Sequence, residues 1–223
     1  MKMLLTSDGI KNQSIYDALV GLLPKPIPDC KALCITTASY GLPMMMSPQL
    51  AYAFITDTAD TPMINVGWKS VGVLELSALP SLGEDRWLPW VQETDVFLVN
   101  GGDTMYLAHW LKESGLADLL PSLNAVWVGL SAGSVVMAPR IGRNFVHWPE
   151  EGANDEGLGM VDFAIFPHLG YPGLPTHSLD HAKQWIETLD TPGYAIDENT
   201  AIVVADGHVQ VISEGTWHLF DKP

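Results

Sequence analysis

The chain has 223 residues, 47% of them hydrophobic, so it is long enough for one globular domain with a sizeable core. Its 26 acidic residues against 11 basic ones give a formal net charge of −15, a field that repels nucleic acid and anionic membrane. Apolar runs are strand-sized and broken by Gly and Pro, with nothing approaching the roughly 18–20 residues of a transmembrane helix, and the N-terminus lacks a signal-peptide core. A single domain over residues 1–223, in the cytoplasm, is the expectation. Cys30 and Cys34 provide no disulfide or zinc framework and read as packing residues of a reducing compartment.

In chain order, short buried-type apolar runs fall at residues 3–6, 32–37, 71–76, 96–100, 125–129 and 164–166. Helical patterns separate them. Residues 15–23 follow a Ser14 cap, 48–56 begin with a proline after Ser47, 104–113 follow Asp103, and 179–189 follow Ser178. This alternation predicts a doubly wound α/β fold, a mostly parallel sheet with helices on both faces. Residues 194–196, 201–205, 208–213 and 216–220 read as four further strands with Asp206-Gly207 and Glu214-Gly215 turns, an antiparallel meander at one sheet edge.

The strongest chemical signal is Gly129-Leu130-Ser131-Ala132-Gly133. An apolar run precedes it and a small-residue helical segment, 132–137, follows, which is the strand–turn–helix context of a nucleophile elbow. A serine hydroxyl is a weak nucleophile at neutral pH, so it needs a base and N–H donors around it.

In open α/β sheets ligands gather beyond the carboxyl ends of the strands. Asn100-Gly101-Gly102-Asp103-Thr104 occupies such a place, a glycine turn entering a helix whose free N–H groups suit an anion or a developing oxyanion. It is neither a dinucleotide fingerprint nor a P-loop, so no nucleotide is implied. Pro167-His168 follows the strand at 164–166, making His168 the candidate general base. His177 and His181 are four apart, but the glutamate of a zinc helix is missing and no third ligand follows, so no metal or other cofactor is expected. His109, His147, His208 and His218 lie in less suitable places. The acid that would orient His168 is open between Asp197 and Glu198, with Asp155, Glu156 and Asp162 as rivals.

Asn100 to Thr104, Gly129 to Ser134, Gly159-Met160-Val161-Asp162-Phe163 leading to Pro167-His168, and Ala195-Ile196-Asp197-Glu198 together resemble the successive motifs of the peptidase E family, the S51 serine peptidases, which include aspartyl dipeptidases and cyanophycinases. The resemblance implies a fold like that of class I glutamine amidotransferases. It also implies Ser131 as nucleophile, His168 as base, Glu198 as acid, and an oxyanion hole from the Gly102 and Ala132 amides. Aspartyl dipeptidases bind the substrate aspartate through basic residues, including an arginine on the helix after the histidine. Ala182 stands at that place, leaving Lys183, Arg140 or Arg143 to supply positive charge, with Asp103 also set at the substrate.

The implied activity is hydrolysis of small peptides, dipeptides above all, without strict Asp-Xaa specificity. An esterase or isopeptide amidase on the same scaffold, or a non-catalytic ligand-binding homologue, are the alternatives. Trp148 and Trp185 are either an apolar wall of the site or core, the loop 144–159 is a candidate lid, and a monomer or homodimer is expected.

Overall fold

In the computed structural model, which describes residues 1–43, 46–148 and 154–221, the strands are β1 (Lys2–Thr6), β2 (Lys31–Ile35), β3 (Ser70–Val73), β4 (Val96–Val99), β5 (Val126–Leu130), β6 (Ala164–Phe166), β7 (Gly193–Ile196), β8 (Thr200–Ala205), β9 (His208–Ser213) and β10 (Trp217–Phe220). The uninterrupted apolar runs at β1, β2, β4, β5 and β6 become strands buried along almost their whole length, whereas the edge strands β3, β9 and β10 are largely exposed. The helices are α1 (Gln13–Leu22), α2 (Ser47–Ile55), α3 (Glu84–Gln92), α4 (Thr104–Glu113), α5 (Leu116–Leu119), α6 (Ala132–Val135) and α7 (Leu179–Glu187).

A seven-stranded sheet runs in the order β3-β2-β4-β5-β1-β8-β9. The first five of these strands are parallel, with β1 in register against β5 from Lys2↔Val126 to Thr6↔Leu130. Alternate residues feed two cores. Met3, Leu5, Phe97, Val99 and Trp127 pack with Trp87 and Val91 of α3 and Leu107 and Leu111 of α4. Leu4, Val96, Leu98 and Val128 pack on the other face with Ile15 and Leu19 of α1 and Phe54 of α2. Full burial of each large aliphatic side chain contributes about 1.5–3 kcal/mol. Cys30 and Cys34 belong to the second core, and burial pushes the Cys34 thiol up to about 12, so both are packing residues, as expected.

The terminal strands do not form one meander. β8 extends the main sheet antiparallel to β1 and β9 pairs antiparallel with β8, whereas β7 and β10 leave it and build a second sheet of order β10-β7-β6. β6, expected in the main parallel sheet, pairs parallel with β7 instead, Ala164↔Gly193 to Phe166↔Ala195. The physical cause is the link between β7 and β8. Asp197 folds it into a turn, its Oδ1 accepting from Asn199 N at 3.0 Å and Thr200 Oγ1 at 2.7 Å, so the chain crosses from one sheet to the other. The Asp206-Gly207 turn is as expected: both residues have positive φ, 52° and 77°, and close the β8–β9 hairpin.

Asp103 caps α4 and Ser178 caps α7. Ser14 does not cap α1. Asn12 does, its Oδ1 accepting from Ile15 N at 2.9 Å, while the Ser14 hydroxyl donates to Glu214 Oε1 at 2.6 Å. α3, with Pro89 in its interior, has no counterpart in the sequence reading. Among the described residues no helix is long and apolar enough to cross a membrane.

Candidate active site

Ser131 sits where β5 gives way to α6, with φ 49° and ψ −112°, a conformation that a side chain adopts only under constraint. The constraint is visible. Ser131 N donates to Thr6 O at 3.0 Å, and Ser134 Oγ bonds both Thr6 O at 2.7 Å and Thr6 N at 2.8 Å. Trp127 Nε1 donates to Gly133 O at 2.7 Å. A Cβ on Gly133 would stand 2.4 Å from Val99 O, so the second glycine of the motif is required by close packing of the elbow on β4. These bonds hold the serine hydroxyl up at the end of the sheet.

His168 follows β6 with φ 58°, so it too is a non-glycine residue of positive φ. Its Nε2 lies 2.9 Å from Ser131 Oγ and its Nδ1 lies 3.1 Å from Glu198 Oε1. Burial works to raise the Glu198 carboxyl, but the bond from His168, a backbone N–H and the nearby charges of His168 and Lys11 outweigh it and hold it below its ordinary range. Glu198 is therefore ionised beside the imidazole, and the arrangement can pass the serine proton to Nε2 while stabilising the imidazolium that results.

The rival acids are committed elsewhere. Asp197 makes the β7–β8 turn and accepts from Thr216 N through its other oxygen. Asp155 accepts from Arg140 Nε at 2.8 Å and Gly142 N at 3.1 Å. Glu156 and Asp162 are exposed.

The glycine turn after β4 abuts the elbow, since a Cβ on Gly101 would lie 3.2 Å from Ser131 Cβ. Asn100 shapes it: its Oδ1 takes the Gly101 N–H at 2.8 Å and its Nδ2 donates to Ser39 Oγ at 3.1 Å. Gly102 has φ 142° and presses on Ala38, whose carbonyl would stand 2.3 Å from an added Cβ. Gly102 stands just before the Asp103 cap of α4, and Ala132 is the first residue of α6. Asp103, expected at the substrate, is fully buried. Its Oδ1 accepts from Tyr106 N at 2.8 Å, and burial raises its carboxyl. Its place in this structure is as the α4 cap.

None of the three expected substrate cations bonds to Ser131, His168 or Glu198. Arg140 is ion-paired with Asp155, which fixes its direction. Lys183 is an exposed residue of α7 and pairs with Asp180 at 3.2 Å. Arg143 is exposed. Ala182 is fully buried in the core between α7 and the smaller sheet. Trp185 is core, its Nε1 donating to Ile141 O at 2.9 Å. Trp148 packs edge-on against Tyr106 at 5.4 Å and beside His109 at 4.8 Å. The centre of the expected lid, residues 149–153, lies outside the described residues.

His177 and His181 do not face each other as a ligand pair. His181 Nδ1 lies 2.7 Å from Ser178 Oγ, while His177 stacks near Phe166 at 5.3 Å and His168 at 6.2 Å. Among the described residues no three His, Cys, Asp or Glu side chains cluster as a metal site. The sequence reading passed over Ser7, Asp8 and Lys11. Lys11 pairs with Asp8 at 3.0 Å and Asp60 at 3.3 Å, and Asp8, Lys11, Asp60, Tyr171 and Glu198 line one cavity. All three missed residues follow β1, so the strand-end rule that singled out His168 applies equally to them.

Fold and site together define a class: a doubly wound α/β protein whose elbow serine is hydrogen-bonded to a histidine–carboxylate pair. Residues 52–212 match the family model of peptidase family S51, and the chain belongs to that family. It is 28% identical over 138 residues to the peptidase E of Nostoc sp., covering 58% of this chain and 57% of that protein. It is 27% identical over 126 residues to an uncharacterized peptidase of Listeria innocua, covering 53% and 59%. The alignments therefore span less than three fifths of these relatives. A Listeria monocytogenes protein provisionally called peptidase E superposes with a TM-score of 0.70 at 18% identity, covering 96% of this chain and 98% of that one. A peptidase from an acI-B1 Actinobacterium gives 0.63 at 19%, covering 98% and 89%. At these identities the two structures speak for the fold alone.

Proposed function

We propose that the chain is a serine peptidase that hydrolyses small peptides, dipeptides above all, through an acyl-enzyme. The observation that carries this reading is the pair of contacts on His168, 2.9 Å to Ser131 Oγ and 3.1 Å to Glu198 Oε1. His168 takes the Ser131 proton as the hydroxyl oxygen attacks the scissile carbonyl. The Gly102 and Ala132 amides hold the oxyanion. His168 then gives the proton to the departing amine, and water, deprotonated by the same imidazole, releases the acyl group. No step calls for a metal.

The acyl-side residue need not be acidic. Lys11 is engaged by Asp8 and Asp60, Arg140 by Asp155 and Lys183 by Asp180, and Asp8 and Glu198 add negative charge near the imidazole. An aspartate side chain would enter against that field, whereas a neutral one would not. Intact-mass spectrometry after treatment with a small fluorophosphonate tests the chemistry: one adduct on the native chain and none on Ser131→Ala are expected. A dipeptide panel should show neutral acyl residues cleaved at least as well as aspartate, with turnover falling by about 10⁴-fold or more in the variant. Full turnover in Ser131→Ala would remove the assignment.

A further inference from the structure

The catalytic series is divided between two sheets. Ser131 follows β5 of the main sheet, whereas His168 and Glu198 follow β6 and β7 of the smaller one, and no strand pairing joins the two sheets among the described residues. Something other than strand pairing must keep the imidazole within hydrogen-bond reach of the hydroxyl.

The contacts converge on two consecutive residues at the end of β1. Thr6 O receives Ser131 N at 3.0 Å and Ser134 Oγ at 2.7 Å, so Thr6 belongs to the serine half. Ser7 reaches the other way. Its Oγ accepts from His168 N at 3.0 Å and donates to Ile196 O at 2.9 Å. Ile196 is the last residue of β7, two before Glu198, and its carbonyl also receives Leu169 N at 3.0 Å. One hydroxyl, with no solvent exposure, therefore bonds the backbone at His168 and the backbone just before Glu198. The peptide joining Thr6 to Ser7 is thus tied to both halves of the site.

We infer that Ser7 is the positioning residue of this site, holding the histidine–carboxylate half in register with the serine half. The left-handed backbone of His168, φ 58°, gives the bond its leverage. A non-glycine residue leaves that region unless its surroundings hold it there, and the bond falls on its own N–H. Without the hydroxyl, that N–H loses its partner and the residue can relax, swinging the imidazole away from Ser131. A displacement of about 1 Å in a reacting group can cost about 10²-fold in rate. Ser7 touches no reacting atom and is not a catalytic residue.

The inference rests on the serine-peptidase reading, and the experiment separates the two. Ser7→Ala, Ser7→Cys and Ser7→Thr are compared with the native chain in folded samples. The readouts are kcat and KM on a cleaved dipeptide, the rate of fluorophosphonate labelling, and the downfield proton resonance of the His168–Glu198 hydrogen bond. Ser7→Ala should lower kcat and labelling together by about 10- to 100-fold with KM changed less than about threefold, and should broaden or erase the resonance. Ser7→Thr, which keeps the hydroxyl, should recover most of both, and Ser7→Cys, a weaker hydrogen-bonding group, should fall between. A native chain that does not label at Ser131 sinks the peptidase reading, yet the resonance still tests Ser7. Persistence of the native resonance in Ser7→Ala, or in Ser7→Cys should the alanine chain not fold, overturns the inference.

Discussion

Replacing Glu198 by Gln removes the negative charge facing His168 with almost no change in size. At present the carboxylate accepts from Nδ1 at 3.1 Å, which leaves Nε2 free to accept the serine proton. A glutamine amide can instead donate to Nδ1, placing the imidazole proton on Nε2, the wrong side for a base, and it no longer stabilises the imidazolium. In other serine hydrolases, loss of the corresponding acid costs about 10⁴-fold. Both side chains here are 20% exposed, so water screens the pair. The contact is also longer than the roughly 2.7–2.9 Å of a strong charge-assisted bond. The lower end, about 10³- to 10⁴-fold or about 4–5.5 kcal/mol in activation free energy, is the expected loss. Pre-steady-state fluorophosphonate labelling reads the activation of Ser131 directly, and steady-state hydrolysis supplies kcat and KM. Asp197→Asn is the matched control. It should weaken the β7–β8 turn, lowering the unfolding temperature, while keeping kcat within about threefold, because its oxygens serve Asn199, Thr200 and Thr216. Labelling of Glu198→Gln within tenfold of the native rate, or a collapse of kcat in Asp197→Asn instead, would refute the assignment of the acid.

Ser134→Ala strips Thr6 of the hydroxyl that satisfies both its buried N–H and its C=O. A loss of about 1–3 kcal/mol follows, seen as a lower urea midpoint at unchanged slope, and an unmoved midpoint would contradict it. His177→Phe tests a pH effect. Burial, and then the charge of neighbouring His168, hold the His177 imidazole below its ordinary 6.5. The unfolded chain therefore binds the proton more readily, and this group's contribution to stability is complete above pH 6.5 and falls away as the pH drops below it. The phenylalanine variant keeps the ring packing near Phe145 and Phe166 and should lose that portion of the acid sensitivity. Unfolding temperatures measured from pH 7.5 to 5.5 would show parallel curves for the two proteins if the reasoning were wrong.

Ser131, His168 and the Asn100–Asp103 turn were legible because each follows a strand that its own residues specify. A buried apolar run predicts a strand, its end predicts the functional edge, and the residue type there predicts the chemistry. α3 was hidden because Pro89 breaks the helical pattern that its buried Trp87 and Val91 otherwise supply. The choice between Asp197 and Glu198 was not legible, since adjacent carboxylates at a strand end look alike until one is consumed by the turn. The placement of β6 was hidden for a related reason. Ala164, Ile165 and Phe166 are all buried, and three such residues fit the middle of either sheet, so pairing is decided by contacts that leave no local pattern. Ser7 is the extreme case, with its partners 161 and 189 residues away. Residues that perform chemistry announce themselves by type and position, whereas a residue that joins two separately built halves is an ordinary serine until the halves meet. The bonds around Thr6 and Ser7 are therefore part of the site's construction, and they begin outside the 52–212 span that identifies the family.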